Sequence, residues 1–187
     1  MPTLPASLKF TYEEYCEFPE DGKRHELIDG DHYVTPAPLT KHQRIVANLH
    51  RLLGHVIHEK ELGLVFSAPI DVLLSNVDVV QPDFLFVSKA RLSIITEANI
   101  QGAPDLVVEI LSESTRKNDE GIKRLLYERA QVQEYWIIDP TSESVKTFQL
   151  QEGRYHSPLE LISAPTTIAL TTPLLPGLSV SLSEIFS

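Results

Sequence analysis

An α/β chain of the α+β kind, with a mixed sheet covered by helices, is the fold class this sequence predicts. Three observations carry the prediction. A helical apolar stripe runs from Thr40 towards Gly63, and apolar runs rich in strand formers follow at 64–74, 79–87 and 105–112. A second amphipathic stretch at 118–131 then separates these runs from a further strand at 134–139. Extra β segments flank this core at both ends. The 187 residues read as one domain, 1–187, large enough to bury roughly 70% of the surface its unfolded chain exposes.

Each element has a local reason. Thr11-Tyr12-Glu13-Glu14 has capping-box spacing, so a short helix is expected from Tyr12, ending before Pro19. Asp29-Gly30 between the strand-like runs 24–28 and 31–34 suits a two-residue hairpin turn. Pro36 and Pro38 break the chain before the long helix, which opens on Thr40-Lys41-His42-Gln43, again read as a capping box. Its apolar positions Ile45, Leu49, Leu52, Leu53 and Val56 follow the helical period, and Gly63 is expected to end it. Ser75-Asn76-Val77-Asp78 is a turn between the first two strands, and residues 89–102 are a polar loop or short helix. In the helix at 118–131, Ile122, Leu125 and Leu126 share a face. After the strand at 134–139, closed by Pro140, a hairpin turns near Glu152-Gly153, and short extended segments rich in Thr, Pro and Leu complete the chain.

Composition narrows the function. Hydrophobic residues are 42% and charged residues 22% of the chain, ordinary for a globular protein. The first seven residues carry no basic-then-apolar leader pattern, and no apolar run reaches the ~18–20 residues that cross a bilayer. The single cysteine, Cys16, excludes an internal disulfide, fits a reducing compartment, and is expected to be a buried or half-buried spectator. A cytoplasmic location is expected. The net charge of -10 argues against a broad basic nucleic-acid surface. Any DNA affinity is expected to be weak, salt-sensitive and dependent on metal.

Two of the apolar strands carry acids that strand formation does not need. One holds Asp83 within Val79-Val80-Gln81-Pro82-Asp83-Phe84-Leu85-Phe86-Val87, the other Glu109 within Pro104-Asp105-Leu106-Val107-Val108-Glu109-Ile110-Leu111. Carboxylates are poor strand formers and expensive in apolar surroundings. On neighbouring strands, Asp83 and Glu109 can stay ionised side by side if they share a divalent cation. Asp105 faces the same side as Glu109, but ~13 Å separates them at ~3.3 Å per residue, so it belongs to the start of its strand. Magnesium or manganese suits two carboxylates plus waters, polarises a phosphoryl oxygen and acidifies a bound water. Lys123, in the first turns of the following helix, can orient that water or stabilise growing charge. Each acid also has a structural alternative: Asp83 beginning an edge strand, and Glu109 paired with Arg116 or Lys123.

The segments Glu26-Leu27-Ile28-Asp29-Gly30, His42-Gln43-x-Ile45-Val46, Gln81-Pro82-Asp83, Pro104–Ser112 and Glu134-Tyr135-Trp136-Ile137-Ile138-Asp139-Pro140 together resemble the Uma-type restriction endonucleases of the PD-(D/E)XK nuclease superfamily. The resemblance runs from about Thr11 to Pro140 and more loosely beyond. It implies a restriction-endonuclease-like fold and a magnesium-dependent phosphodiesterase acting on DNA. On that pattern Asp83 is the motif aspartate, Glu109 the second acid, and Glu26 either an additional acid from the N-terminal region or a solvent-facing hairpin residue. The position two after Glu109 departs from the pattern: it is Leu111 where lysine is expected, and Lys123 is the migrated substitute.

His42 falls on the inward stripe of the long helix, facing either the site, to bind a phosphate or order Glu26, or the core, and Asp119 either pairs with Lys123 or caps the helix. Arg44, Arg51, His55 and His58 share the opposite face, and His55-x-x-His58-Glu59 does not match a zinc helix. Arg116, Lys117, Lys123, Arg124 and Arg129 form the one local basic excess near the site. Cutting both strands with one small domain requires pairing, so a homodimer is expected. The competing reading is a non-catalytic nucleic-acid- or protein-binding module that keeps the nuclease fold.

Overall fold

The computed structural model describes residues 8–164 and 169–187. Residues 1–7, where the leader pattern was sought, and part of the stretch read as extended near the C-terminus, lie outside them. The chain opens on α1 (Tyr12–Tyr15), whose Thr11–Glu14 capping box forms as its spacing predicts. β1 (Arg24–Ile28) and β2 (Asp31–Thr35) make the expected hairpin. Asp29 and Gly30 both take positive φ (51° and 76°), the backbone a tight primed turn demands.

α2 (Thr40–Glu59) buries Ile45, Leu49, Leu53 and Ile57 along one stripe. Its cap differs from the reading above: Thr40 is already helical, and the N-cap residue is Leu39, with no side-chain cap. Gly63 does not end this helix. It opens β3 (Gly63–Phe66) at φ +155°, and any Cβ there would strike the Val87 carbonyl oxygen across the ladder.

Two of the predicted long strands are divided, and the mixed sheet becomes two mixed sheets. The run at 64–74 breaks around Pro69 into β3 and β4 (Val72–Ser75). The run at 79–87 breaks at Gln81-Pro82-Asp83 into β5 (Asp78–Val80) and β6 (Phe84–Ser88). Proline cannot donate to a ladder, so each break lets the chain leave one sheet and join the other. A 3₁₀ helix (Lys89–Ile94) and β7 (Ile100–Gln101) follow, then β8 (Leu106–Ile110). α3 (Arg116–Asn118), a π-helical turn (Asp119–Lys123) and α4 (Arg124–Arg129) run on without a gap to β9 (Glu134–Asp139). β10 (Ser144–Gln151), β11 (Arg154–Tyr155) and β12 (Leu159–Ile162) complete the strands. Glu152 and Gly153, both at positive φ, make the predicted turn. The smaller sheet has the order β2-β1-β5-β4-β7, and the larger β11-β10-β9-β8-β6-β3, with β12 also on β10.

Alternation along the larger sheet assigns its two faces. Phe84, Phe86, Leu106, Val108, Ile110, Trp136 and Ile138 face α2 and the C-terminal segment. Leu85, Val87, Val107, Tyr135 and Ile137 face α4 and the smaller sheet, meeting Ile28, Val72, Val80 and Ile100. Each such side chain contributes roughly 1.5–3 kcal/mol by leaving water.

Three further expectations are corrected. α5 (Leu182–Phe186) stands where extended chain is expected, opened by a Ser181–Glu184 capping box and burying Ile185 and Phe186 against α2. Leu125 is 54% exposed, because the π-helical turn rotates the helix and leaves Leu126 and Tyr127 inward instead. Cys16 is exposed, at the C-cap of an α1 that buries none of its residues. Among the described residues no helix is long and apolar enough to cross a membrane.

Candidate active site

The division at Pro82 that separates the sheets also creates the site. Phe84 pairs with Val108 across the antiparallel β6–β8 ladder, so one step further along this register sets Asp83 opposite Glu109. Asp83 is buried, with each oxygen anchored. Oδ1 accepts from Arg24 Nη1 at 2.6 Å, and Oδ2 meets His42 Nε2 at 2.9 Å and the Ile110 amide at 2.8 Å. Burial pushes this carboxyl upward. The hydrogen bond and charge of His42, with Arg24 and the Ile110 amide, outweigh that and hold it below the ordinary aspartate value.

Glu109 reaches the cleft from β8 and Glu26 from β1, a central strand of the smaller sheet. That position is why Glu26 is 3% exposed and not a solvent-facing hairpin residue. Lys123 ties them together: Nζ donates to Glu26 Oε1 at 2.8 Å and to Glu109 Oε1 at 3.0 Å. Asp119, one π-helical turn earlier, is 3.8 Å from the same ammonium. π-helical turns recur at functional sites, and here the turn brings an acid and a base of one helix inward together. The Gln81 amide fixes Glu26 Oε1 at 2.8 Å, and the Tyr127 hydroxyl donates to Glu109 Oε1 at 2.7 Å.

If all are ionised, Glu26, Asp83, Glu109 and Asp119 supply four negative charges against two positive ones, Arg24 and Lys123. The excess, together with burial, favours protonation of two of the acids. Burial pushes Glu109 up to about 8, with Asp119, Asp83 and Glu26 adding to the effect and Lys123 opposing it. Burial likewise lifts Asp119 to about 6, against Lys123 and a Thr115 hydrogen bond. Burial alone would lower the Lys123 ammonium, but Glu109, Glu26 and Asp119 hold it well above its ordinary value.

These residues line a cavity of about 370 Å³, walled by the strap Thr35–Leu39 on one side and Ser112–Thr115 on the other. The donor set fits a hard divalent cation. It consists of carboxylate oxygens carrying excess negative charge, and among the described residues no hydrogen bond reaches Oε2 of Glu26 or of Glu109. Asp83 Oδ1 has a single donor and keeps a lone pair. No group of three or more His, Cys, Asp or Glu among the described residues is already gathered as a cage. The set therefore suits an ion that keeps several of its waters, as magnesium does.

The expected residues are thus brought to one place: Asp83, Glu109, Lys123 and Glu26, with His42 and Asp119 beside them. His42 serves Asp83 rather than Glu26. Asp105 lies apart, accepting from the Ser88 amide at 2.7 Å and Gln133 Nε2 at 2.8 Å, a structural anchor at the start of β8. Leu111 packs in the apolar cluster between the sheets. The basic excess is not one open strip: Lys123 is buried, Arg116 pairs with Asp139 at 2.9 Å, and Arg129 pairs with Asp29 at 2.9 Å and Asp78 at 3.1 Å. Arg44, Arg51, His55 and His58 are exposed, as expected of the solvent face. Sequence reasoning missed Arg24, Gln81 and Tyr127. Arg24 and Glu26, two apart on β1, gave a parity signal.

Among curated proteins, none matches this chain. Among solved structures, it is similar to a putative nuclease belonging to DUF820 from Anabaena variabilis, at 20% sequence identity and a TM-score of 0.79, covering 95% of this chain and 97% of that one. At that identity the likeness speaks for the fold. The family described as "Uma2: Putative restriction endonuclease" matches residues 12–183, and the chain belongs to that family.

Proposed function

We propose that this chain is a divalent-metal-dependent endonuclease that hydrolyses phosphodiester bonds of DNA in the cytoplasm, with Asp83, Glu109, Lys123 and Glu26 as its catalytic set. One observation carries the reading. Glu26 from β1 and Glu109 from β8 converge on the buried Lys123 ammonium, with Asp83 of the β5–β6 crossing lining the same cavity of about 370 Å³, in a chain of nuclease family.

Asp83 and Glu109 would hold magnesium or manganese, with Glu26 beside them. When bound, the ion supplies Lewis-acid polarisation of the phosphoryl oxygen and a more acidic water. The protein's own groups do the rest. Arg24, His42 and the Ile110 amide keep Asp83 ionised and fixed, and Tyr127 orients Glu109. Glu109, Glu26 and Asp119 favour the protonated form of Lys123. Its task is to stabilise the charge that grows on the phosphoryl group, or to orient the attacking water. Glu26 holds that ammonium in place. The net charge of -10 fits weak, salt-sensitive DNA binding, and two copies would cut both strands.

Nicking of supercoiled plasmid tests the reading. Magnesium or manganese should support it, chelator should stop it, and Asp83→Ala or Lys123→Ala should abolish it. Cleavage that survives in the double variant would assign the activity to something other than this site.

A further inference from the structure

The α2 N-cap holds a residue that stability does not favour. Leu39 is 76% exposed, lies in the Pro36-Ala37-Pro38-Leu39 strap, and leaves the N-terminus of a 20-residue helix without a side-chain cap. Serine, threonine, aspartate or asparagine there would cap the helix and raise its stability. Leu39 also stands at a boundary. It lines both the cavity holding the carboxylates and a second, adjoining cavity of about 570 Å³. His42, Ser112 and Glu113 are the other residues common to the two.

The second cavity is built differently from the first. Leu39, Leu111 and Pro140 give it apolar walls, and Lys41, Arg116 and Thr141 add cations and a hydroxyl at its margin. Lys41 is anchored on the Pro140 carbonyl at 2.6 Å and on Glu143 at 3.3 Å, and Arg116 on Asp139 at 2.9 Å, so both side chains are held in place. Its volume lies within the range of small-molecule pockets. Apolar walls with polar groups at the rim suit an unstacked base whose backbone stays outside. An exposed leucine between a phosphodiester site and such a pocket is placed like the apolar wedges that pry base steps apart.

Resting on the nuclease reading, we propose that Leu39 is a specificity-determining wedge: it separates the nucleotide at the carboxylate cavity from its neighbour, whose base enters the adjoining cavity, so that the preferred substrate is DNA with an unpaired nucleotide beside the cut. In fully paired DNA the wedge must break stacking, and unstacking costs a few kcal/mol per step. In single-stranded or mismatched DNA that cost is already met.

The test compares Leu39→Ser with wild type on a paired duplex and on the same sequence carrying unpaired nucleotides, in magnesium. Leu39→Ser installs a capping hydroxyl, so the melting temperature should rise. Cleavage of the paired duplex should nonetheless fall about tenfold, while cleavage of unpaired DNA stays within about twofold. Leu39→Met, which keeps an apolar wedge, should retain duplex cleavage. Stability and duplex activity moving in opposite directions would exclude a merely structural role. Equal losses on both substrates, or no loss on either, would overturn the wedge and leave the nuclease standing. Failure of the wild type to cleave any substrate would instead overturn the nuclease reading, and the wedge with it.

Discussion

Replacing Lys123 by methionine keeps the stem and deletes the charge, and its cost follows from what the ammonium touches. Nζ lies 2.8 Å from Glu26, 3.0 Å from Glu109 and 3.8 Å from Asp119, among side chains exposed by 7% or less. Removing one partner from a buried ion network costs about 3–5 kcal/mol. For a chain of this length each kcal/mol is worth about 2–4 °C, so Lys123→Met should lower the melting temperature by about 6–20 °C near pH 8. Acid should relieve the defect. Glu109 and Asp119, raised by burial to about 8 and about 6, carry protons in the folded state at moderately acidic pH. With those two charges gone, fewer ionic contacts are lost with the ammonium, and the cost should shrink to about 1–3 kcal/mol near pH 5. Urea unfolding of both proteins at the two pH values measures this directly. An equal loss at both, or a loss under about 1 kcal/mol near pH 8, would refute the charge balance assigned to this cluster.

The same protons predict the behaviour of the wild type. A carboxyl whose folded pKa is raised binds more protons folded than unfolded, so metal-free stability should fall as pH rises from about 5 to about 8. Millimolar magnesium should flatten that slope in thermal melts, because it binds the ionised form. His42→Ala removes a 2.9 Å contact to Asp83 and should raise the Asp83 carboxyl. It should cost about 1–3 kcal/mol and reduce the magnesium-induced rise in melting temperature. Asp105→Asn should cost a similar amount by weakening the anchor on Ser88 and Gln133, yet leave plasmid nicking intact. Gly63→Ala should destabilise by about 1–3 kcal/mol in urea unfolding, since its backbone sits in a glycine region against the Val87 carbonyl.

Much of this was legible from residue pattern. The hairpin at Asp29-Gly30, the long helix, the strand at 134–139 and the convergence of Asp83, Glu109 and Lys123 follow from periodicity, turn chemistry and misplaced acids. The errors share a cause: local signals were read without the topology that competes with them. Apolar continuity hid the breaks at Pro69 and Pro82, although proline inside a strand run argues for an edge or a crossing. Periodicity at 3.6 placed Leu125 inward, and a π-helical turn shifts that phase by one residue. The Ser181-x-x-Glu184 signature of α5 was present and passed over. Arg24 was legible only as a residue sharing a strand face with Glu26. Its role depends on β1 lying beside the β5–β6 crossing, a long-range pairing that no local rule encodes.

One diffraction measurement bears on the centre of the account: anomalous scattering from a crystal of the wild-type protein soaked in manganese. The account predicts a peak between Asp83 and Glu109, with an oxygen of each within about 2.0–2.6 Å of it and waters completing the shell. A peak elsewhere, or none at a concentration that supports cleavage, would contradict a shared cation and leave Asp83 as a partner of Arg24 and His42, and Glu109 as a partner of Lys123 and Tyr127.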